Sequence, residues 1–298
     1  MAARAVLRPR TRAGRDHPAQ AGERTAAEHR PVIEVFAPAK INLCLHVTGQ
    51  RADGYHLLDT LVAFCTVGDV LTLREGPLSL NLTGPEAEGL QAEPDNLILR
   101  AARLMGAQAA ITLDKRLPVS SGIGGGSADA AAALRGLHAL TGTSLPTETE
   151  QLGADVPMCL SSTPARVRGI GERVEPVRLP PLHLVLVNPR VPVATPHVFR
   201  ALDRRENPPL PPLTDWPDAT ALIEWLGGTR NDLEPPALKV APVITEVLAA
   251  LSGARFARMS GSGATCFGLF DTAEEADAAA GEIRKARPNW WVAPCATT

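Results

Sequence analysis

The sequence is short of aromatic residues, of lysine and of long apolar runs. Of its 298 residues, 45% are hydrophobic and 21% are charged, but only 4% are aromatic and a single one is tyrosine. Residues 182–187 are typical of the longest apolar runs, whereas a membrane-spanning helix needs about 20 such residues. Disordered and collagen-like chains also have a different composition. We therefore expect a folded protein that is not embedded in a membrane.

Cysteine and histidine occur without the spacings that bind metals or form disulfide frameworks. The five cysteines are odd in number and widely spaced, with no C-x-x-C pair, and the seven histidines form no H-E-x-x-H motif. These patterns predict neither a zinc site nor a set of disulfides. Reduced thiols and a cytoplasmic location are the simpler interpretation.

Basic residues are concentrated at the start of the chain. Residues 1–30 contain seven arginines and three acidic residues, so the rest of the chain has a net charge of −6. A chain with this balance has no basic stripe to bind nucleic acid. Its overall field does not attract anions either, so any phosphate site has to be built from local groups.

Residues 1–30 also lack periodicity and an apolar signal-peptide core. We expect them to be a disordered tail, or an extension that results from a start codon assigned too far upstream.

The chain from residue 31 onward mixes strand and helix patterns without strict alternation, which predicts an α+β fold. Gly68 and Asp69 look like a turn between two strands, Asp95 is a possible helix cap, and Gly142 is placed to end the best helix. Strands are predicted over 32–36, 41–47, 55–67, 70–73, 111–113, 182–187, 256–259 and 265–270, and helices over 96–105, 127–141, 241–251 and 273–286.

A glycine-rich loop before an alanine-rich helix is the strongest motif. Glycine lets the backbone approach a ligand closely, and the unpaired amides and positive dipole of a helix start bind phosphate. No Gly-Lys-Ser/Thr closes the loop, so it is not a Walker A motif, and its spacing does not match the dinucleotide fingerprint. A flexible linker is the alternative, but a linker does not normally run directly into a well-formed helix. The loop consists of Pro118, Val119, Ser120, Ser121, Gly122, Ile123, Gly124, Gly125, Gly126, Ser127 and Ala128.

Three further motifs are weak when each is taken alone. Lys40 and Asn42 share one face of an apolar strand, in a chain that has only four lysines. A second glycine loop, residues 260–265, resembles an ordinary hairpin turn. Asp155 precedes Val156 and Pro157, and this fragment alone favours a helix cap.

Taken in order, Pro-Ala-Lys-Ile-Asn-Leu at 38–43, the loop at 118–128 and Ser-Gly-Ser-Gly-Ala at 260–264 resemble the three motifs of the GHMP kinase superfamily. Residues 49–56, 95–98 and 152–157 are similar to one family in particular, the 4-diphosphocytidyl-2-C-methyl-D-erythritol kinases. The resemblance covers residues 32–270. It implies a two-domain fold, with an N-terminal domain over 31–180 and a ferredoxin-like C-terminal domain over 181–298.

The resemblance also implies the activity and the roles of individual residues. The enzyme would phosphorylate the 2-hydroxyl of 4-diphosphocytidyl-2-C-methyl-D-erythritol with ATP, in non-mevalonate isoprenoid biosynthesis. Lys40 and Asp155 match the catalytic pair, and residues 118–128 match the triphosphate loop. Asn96 and Lys115 match the adenine pocket. The residues that match the cytidine-diphosphate side are Asn42, Tyr55, His56, Thr195 and Phe199, with Tyr55 and Phe199 enclosing the cytosine and His56 at its edge.

Mg²⁺ is implied by the reaction, without a ligand that the sequence identifies. We expect a monomer or weak homodimer. Residues 141–151 are a few positions shorter than is usual in the family, and Ser120 and Ser121 stand where it often has glycine or Met-Gly. Two alternatives stay open: another GHMP small-molecule kinase, or an inactive nucleotide-binding relative.

Overall fold

A long β-hairpin begins the part of the chain that the computed structural model describes, residues 31–298. Strand β1 (Val32–Gln50) pairs in antiparallel register with β2 (His56–Arg74) along its whole length. Each of these strands spans two of the predicted ones, because register shifts let the chain bend without leaving the ladder. The expectation about residues 1–30 lies outside the described residues.

The predicted turn at Gly68 and Asp69 is wrong, because both residues lie within β2. Gly68 stands opposite Pro38 beside a register shift. A Cβ atom at Gly68 would lie 2.3 Å from the carbonyl oxygen of Ala37 and 2.8 Å from the Cα atom of Pro38. Glycine is therefore needed here for the close approach of two backbones and not for a change of chain direction.

The first sheet is built around β2. Strands β3 (Ser79–Thr83), β4 (Ala110–Asp114), β5 (Ala165–Gly169) and β6 (Arg173–Pro176) complete it, in the order β3-β4-β2-β5-β6 with β1 also paired to β2. Because β2 is long, both β4 and β5 pair with it, β5 near its start and β4 near its end.

Three helices pack on this sheet: α1 (Leu97–Leu104), α2 (Gly125–Thr141) and α3 (Val156–Ser161). The predicted cap of α1 is off by one residue, because Asn96 and not Asp95 accepts the hydrogen bond from the Ile98 amide. In α2, residues 130–133 are alanines that are fully buried. Their small side chains combine high helix propensity with close packing of the helix on the hairpin.

The second sheet follows the ferredoxin-like pattern that the family resemblance implied. Strands β7 (His183–Asn188), β8 (Phe256–Met259), β9 (Cys266–Phe270) and β10 (Trp291–Ala296) are all antiparallel, in the order β10-β7-β9-β8. Helices α4 (Thr195–Arg200), α5 (Ala219–Gly227), α6 (Glu234–Val240) and α7 (Val243–Ala250) connect β7 to β8, and α8 (Ala273–Ala286) connects β9 to β10. The predictions for β8 and α8 are confirmed to the residue, whereas the predicted helix 241–251 is shortened to α7.

The two sheets share one hydrophobic cluster. Ile41 and Leu61 of the hairpin are fully buried together with Leu184 and Phe267 of the second sheet. Burial of apolar surface across this junction holds the two halves in a fixed relation. Between residues 31 and 298, no helix combines the length and the apolar character that crossing a membrane requires.

Replacing Gly68 with alanine tests the close approach of β1 and β2. Because backbone atoms obstruct the new Cβ, we expect Gly68→Ala to lower the free energy of unfolding by about 1–3 kcal/mol. Gly281→Ala is the matched control, since Gly281 lies in α8 with nothing within 4 Å of its added Cβ. That change should raise stability by about 0.5–1 kcal/mol. Urea denaturation of both variants is the measurement, and equal effects would refute the close-approach account.

Candidate active site

A cavity of about 1050 Å³ opens where the hairpin, the glycine loops and the start of α4 meet. All of the predicted site residues line it except Ile123 and Ala128, whose side chains are buried in the hydrophobic core. Residues as far apart in the chain as Lys40 and Ser262 are thus brought to one cavity.

Lys40 lies at the deep side of this cavity, with its side chain only 6% exposed. Its Nζ atom donates to Asn42 Oδ1 at 3.0 Å and lies 3.1 Å from Asp155 Oδ2. Asn42 Nδ2 donates in turn to Thr60 Oγ1 at 2.9 Å, which fixes the amide with its oxygen toward Lys40. The ammonium is therefore positioned by one neutral and one charged oxygen.

Asp155 occupies the N-cap position of α3, but its side chain makes no capping hydrogen bond. The interpretation of this residue as a helix cap is therefore wrong. The carboxylate is 38% exposed and faces the cavity and Lys40 instead. The short segment before it contains a single 3-10 turn, Thr149–Gln151, and leads directly into the Gly-Ala-Asp sequence.

The first glycine loop is fixed by hydrogen bonds that its carbonyl groups accept from β1 and from the second glycine loop. The oxygen of Ile123 accepts from the Lys40 amide at 2.9 Å, that of Gly122 from the Ser260 hydroxyl at 3.0 Å, and that of Ser121 from the Thr265 amide at 3.1 Å. Helix α2 then starts after Gly124, which offers no side-chain cap. Its first amides have no partner within the helix, so the loop presents an anion site to the cavity.

The second glycine loop supports the first one, a role that the sequence did not predict. Gly122 has a φ of 75°, and a Cβ there would lie 2.6 Å from the Ser260 oxygen and 2.7 Å from the Gly263 oxygen. The Ser260 hydroxyl also accepts from the backbone amide of Asn42 at 3.0 Å. The Ser260 hydroxyl therefore joins β1 to the first glycine loop. At the contact between the two loops, only glycine fits at position 122.

A buried charge triad lies beneath the start of α2. Lys115 Nζ donates to Asp69 Oδ2 at 2.5 Å and to Asp129 Oδ2 at 2.9 Å. A Cβ on Gly125 would lie 3.2 Å from this ammonium. Asp69 also accepts from two backbone amides, those of Arg116 at 2.6 Å and Leu117 at 2.8 Å. Lys115 is a predicted site residue, whereas neither carboxylate was predicted to belong to the site, although Asp129 directly follows the glycine loop.

The two carboxylates of the triad differ in the number of hydrogen bonds that they accept. Burial raises the pKa of Asp129 to about 7, because desolvation and the neighbouring Asp69 outweigh the attraction of Lys115. Asp129 Oδ1 is buried and makes no hydrogen bond with the described residues. Burial alone would lower the pKa of Lys115, but the two carboxylates raise it, so the ammonium stays charged.

Aromatic residues mark the opposite end of the cavity. The rings of His56 and Phe199 stack with their centroids 4.7 Å apart. Tyr55 is 61% exposed at the same end. Burial, followed by the charge of Arg205, lowers the pKa of His56, so its ring is neutral at pH 7. Thr195 Oγ1 lies 2.8 Å from Ser262 Oγ in the second glycine loop.

Asn96 contributes to both structure and cavity. Its Oδ1 atom accepts from the Ile98 amide at 2.9 Å, which caps α1, and the residue also lines the cavity. Among residues 31–298, no three His, Cys, Asp or Glu side chains cluster in a way that would hold a metal ion by themselves.

Comparison with known proteins gives consistent matches. The model of the GHMP kinases N terminal domain matches residues 96–164, and that of GHMP kinases C terminal matches residues 211–289. The 4-diphosphocytidyl-2-C-methyl-D-erythritol kinase of Paracoccus denitrificans (strain Pd 1222) is 62% identical, over 86% of this chain and 94% of that protein. The kinase of the same name from Ruegeria pomeroyi is 56% identical, over 88% and 98%.

Solved structures agree with the sequence matches. A crystal structure of 4-(cytidine 5'-diphospho)-2C-methyl-D-erythritol kinase is 36% identical, with a TM-score of 0.72. The match covers 89% of this chain and 100% of that one. A homoserine kinase from Cytophaga hutchinsonii, at 21% identity and a TM-score of 0.58, shares the fold.

The raised pKa of Asp129 predicts a specific pH dependence of stability. Between about pH 4 and pH 7 the folded protein keeps a proton that the unfolded chain releases, so the free energy of unfolding falls as pH rises. The contribution is up to about 1.4 kcal/mol per pH unit. Asp129→Asn cannot titrate and should lose this component. Urea unfolding of both proteins at pH 5, 6 and 7 measures the difference, and parallel pH profiles would contradict the assignment.

Proposed function

Since this chain belongs to the 4-diphosphocytidyl-2-C-methyl-D-erythritol kinase family of the GHMP kinases, we propose that Lys40 and Asp155 are its catalytic residues. It transfers the γ-phosphoryl group of ATP to the 2-hydroxyl of 4-diphosphocytidyl-2-C-methyl-D-erythritol, in non-mevalonate isoprenoid biosynthesis. The observation that carries the assignment of roles is the 3.1 Å contact between Lys40 Nζ and Asp155 Oδ2, beside the glycine loop.

The two residues divide the work of the transfer. Asp155 accepts a hydrogen bond from the 2-hydroxyl and takes its proton as the new oxygen–phosphorus bond forms and the bond to the β-phosphate oxygen breaks. Lys40 stabilises the negative charge of the attacking oxygen and of the transferred group. Phosphoryl transfer requires mainly positioning and charge stabilisation, and a lysine already fixed by Asn42 needs little rearrangement to provide them.

The glycine loop, residues 118–128, binds the ATP triphosphate through the backbone amides at the start of α2. Asn96 and Lys115 lie on the adenine side. For Lys115 the contact to adenine comes from its backbone, because two carboxylates bind its ammonium. Residues 118–128 include Ile123 and Ala128, whose part in this site is to shape the loop and not to contact the nucleotide with their side chains.

Mg²⁺ fits the oxygen donors next to the loop. This ion usually keeps several waters and takes one or two protein oxygens together with substrate phosphates. Ser127 and Asp155 both line the cavity beside this loop. The Ser127 hydroxyl and the Asp155 carboxylate would hold the ion, which would neutralise charge on the triphosphate.

The cytidine-diphosphate group binds at the aromatic end. Phe199 and the exposed Tyr55 enclose the cytosine, and His56 hydrogen-bonds to its edge. The buried Nε2 atom of His56 has no hydrogen-bond partner among the described residues, which leaves it available for this contact. Asn42, which accepts from Lys40, and Thr195 also line the cavity and contact the rest of the substrate.

The wider assignments follow from the same site. We propose an N-terminal domain over 31–180 and a C-terminal domain over 181–298, because the strands of the first sheet end at Pro176 and those of the second begin at His183. One chain supplies all of the proposed site residues, which supports a monomer or weak homodimer. The free cysteines, four of them buried, support a cytoplasmic location.

A coupled assay of ADP release tests the substrate. We expect turnover with 4-diphosphocytidyl-2-C-methyl-D-erythritol and none with mevalonate or homoserine. Turnover of one of the other alcohols instead would identify a different GHMP kinase. ATP binding without any turnover would identify an inactive relative.

Asp155→Asn is expected to lower kcat by two to four orders of magnitude, while the KM for ATP changes little. Asparagine keeps the shape of the side chain but cannot accept the proton. Asp203→Asn is the control, since Asp203 is a surface carboxylate that is 81% exposed. Steady-state kinetics and a thermal unfolding curve are the measurements. Loss of ATP binding or of the fold in Asp155→Asn would assign this residue a structural role.

Tyr55→Ala is expected to raise the KM for the cytidine-diphosphate substrate by about 10- to 100-fold, because stacking on a base contributes about 1–3 kcal/mol. The KM for ATP should stay near its original value. Because Tyr55 is 61% exposed, the variant should unfold at the same urea concentration as the original protein. An equal rise of both KM values, or no rise in either, would contradict the stacking role.

A further inference from the structure

Arg205 presents a cation to the aromatic end of the cavity. It lines this cavity together with His56 and Phe199. Its Nη1 atom donates to Gln50 Oε1 at 3.3 Å. Gln50 pairs with His56 in the β1–β2 register, and its own amide donates to the Gly54 carbonyl at 2.9 Å. The guanidinium is therefore docked on the hairpin turn that carries the proposed cytosine-binding residues.

The charge of Arg205 is not matched by a protein anion. Arg51, on the hairpin turn, pairs with Asp53, and Arg230 pairs with Asp232. Among residues 31–298, no carboxylate forms an ion pair with Arg205. Its positive charge acts on the neighbouring neutral imidazole of His56. A cation without a carboxylate partner is complementary to an anionic ligand.

Residues 31–298 have a net charge of −6, so the overall field of this part of the chain does not attract a diphosphate. Local cations must therefore supply the attraction. Arg200 also lines the cavity, but its Nε atom donates to the Pro196 carbonyl of its own helix. Lys40 and Lys115 are paired with carboxylates. Arg200 and Arg205 are thus the cavity-lining cations without a carboxylate partner among residues 31–298, and of these two Arg205 is the one docked on the hairpin turn, through Gln50.

We propose that Arg205 binds the diphosphate of the cytidine-diphosphate substrate and so distinguishes it from an uncharged cytidine derivative. The inference rests on the proposed function, which puts the cytosine at Phe199 and the reacting hydroxyl at Lys40 and Asp155. The diphosphate is bonded to the cytidine and lies between these two ends. The planar fork of a guanidinium matches two phosphate oxygens at once, which an ammonium does not.

Binding of a ligand series isolates this contact. Cytidine, CMP and CDP are titrated by calorimetry into the original protein, Arg205→Ala, Arg205→Lys and Arg204→Ala. Arg204 is the matched control, because it is the adjacent arginine, lies outside this cavity and donates to the Glu206 carbonyl. Charge-assisted hydrogen bonds are stronger than neutral ones, but Arg205 is exposed, so we expect Arg205→Ala to weaken CDP binding about 10-fold.

The same variant should bind cytidine within twofold of the original protein. Arg205→Lys should recover part of the lost CDP affinity, and Arg204→Ala should behave like the original protein. In kinetics, Arg205→Ala should raise the KM for the cytidine-diphosphate substrate without changing kcat or the KM for ATP.

Two outcomes would overturn the proposal. An equal loss of cytidine and CDP affinity would mean that Arg205 only holds the hairpin turn, and unchanged CDP affinity would mean that it does not contact the diphosphate. Failure of the proposed function is distinguishable from both. In that case the original protein would bind neither cytidine nor CDP and would not phosphorylate the cytidine-diphosphate substrate.

Discussion

The contact between the two glycine loops is the constraint on which the rest of the site depends. Backbone meets backbone at Gly122 and Ser260, at a distance that excludes any Cβ atom on Gly122. The Ser260 hydroxyl accepts from the Asn42 amide and donates to the Gly122 carbonyl. One side chain thus joins the strand that carries Lys40 to the glycine-rich loop for which we propose phosphate binding. Because carbonyl groups are engaged on the rear side, the amides at the start of α2 remain for the ligand.

Charges in this cavity are arranged locally and not by the net charge of the protein. Lys40 and Lys115 are two of only four lysines, and each is buried beside carboxylates. A compact ammonium fits such sites, where the forked guanidinium of arginine would need more donors satisfied. Lys40 contacts a carboxylate that is partly exposed and faces the cavity. Lys115 contacts two carboxylates that are buried beneath the start of α2.

The sequence was most informative where structure depends on local pattern. The bounds of β8 and α8 could be predicted to the residue, because their hydrophobic spacing and flanking residues suffice to define them. Gly68 was misinterpreted as a turn, since a glycine required by a neighbouring strand looks the same in the sequence as a glycine required by a turn. The role of Asp155 is ambiguous in the sequence for a similar reason. The fragment around it shows that Asp155 precedes a helix, but it does not show that Lys40 lies beside it in the fold.

The triad and the support from Ser260 could not be predicted, because their members are far apart in the chain. Lys115 is separated from Asp69 by 46 residues, and Asn42 from Ser260 by 218. Only the family resemblance placed distant motifs together. It gave the residues for which we propose ligand contacts. It did not give the residues that hold these in place, because such residues act through tertiary contacts that leave no pattern along the chain.

The loop contact also has a consequence for how such a protein can be recombined. Consider a chimera that joins the first half of this chain to the second half of a relative. The loop at 118–128 would then pack against the relative's counterpart of residues 260–265. The proposed ligand-contacting residues could all be present, and yet the shape of the loop would depend on a segment that evolved in contact with a different loop. The two halves therefore have to be inherited and exchanged as one piece, although the site residues by themselves suggest two interchangeable modules.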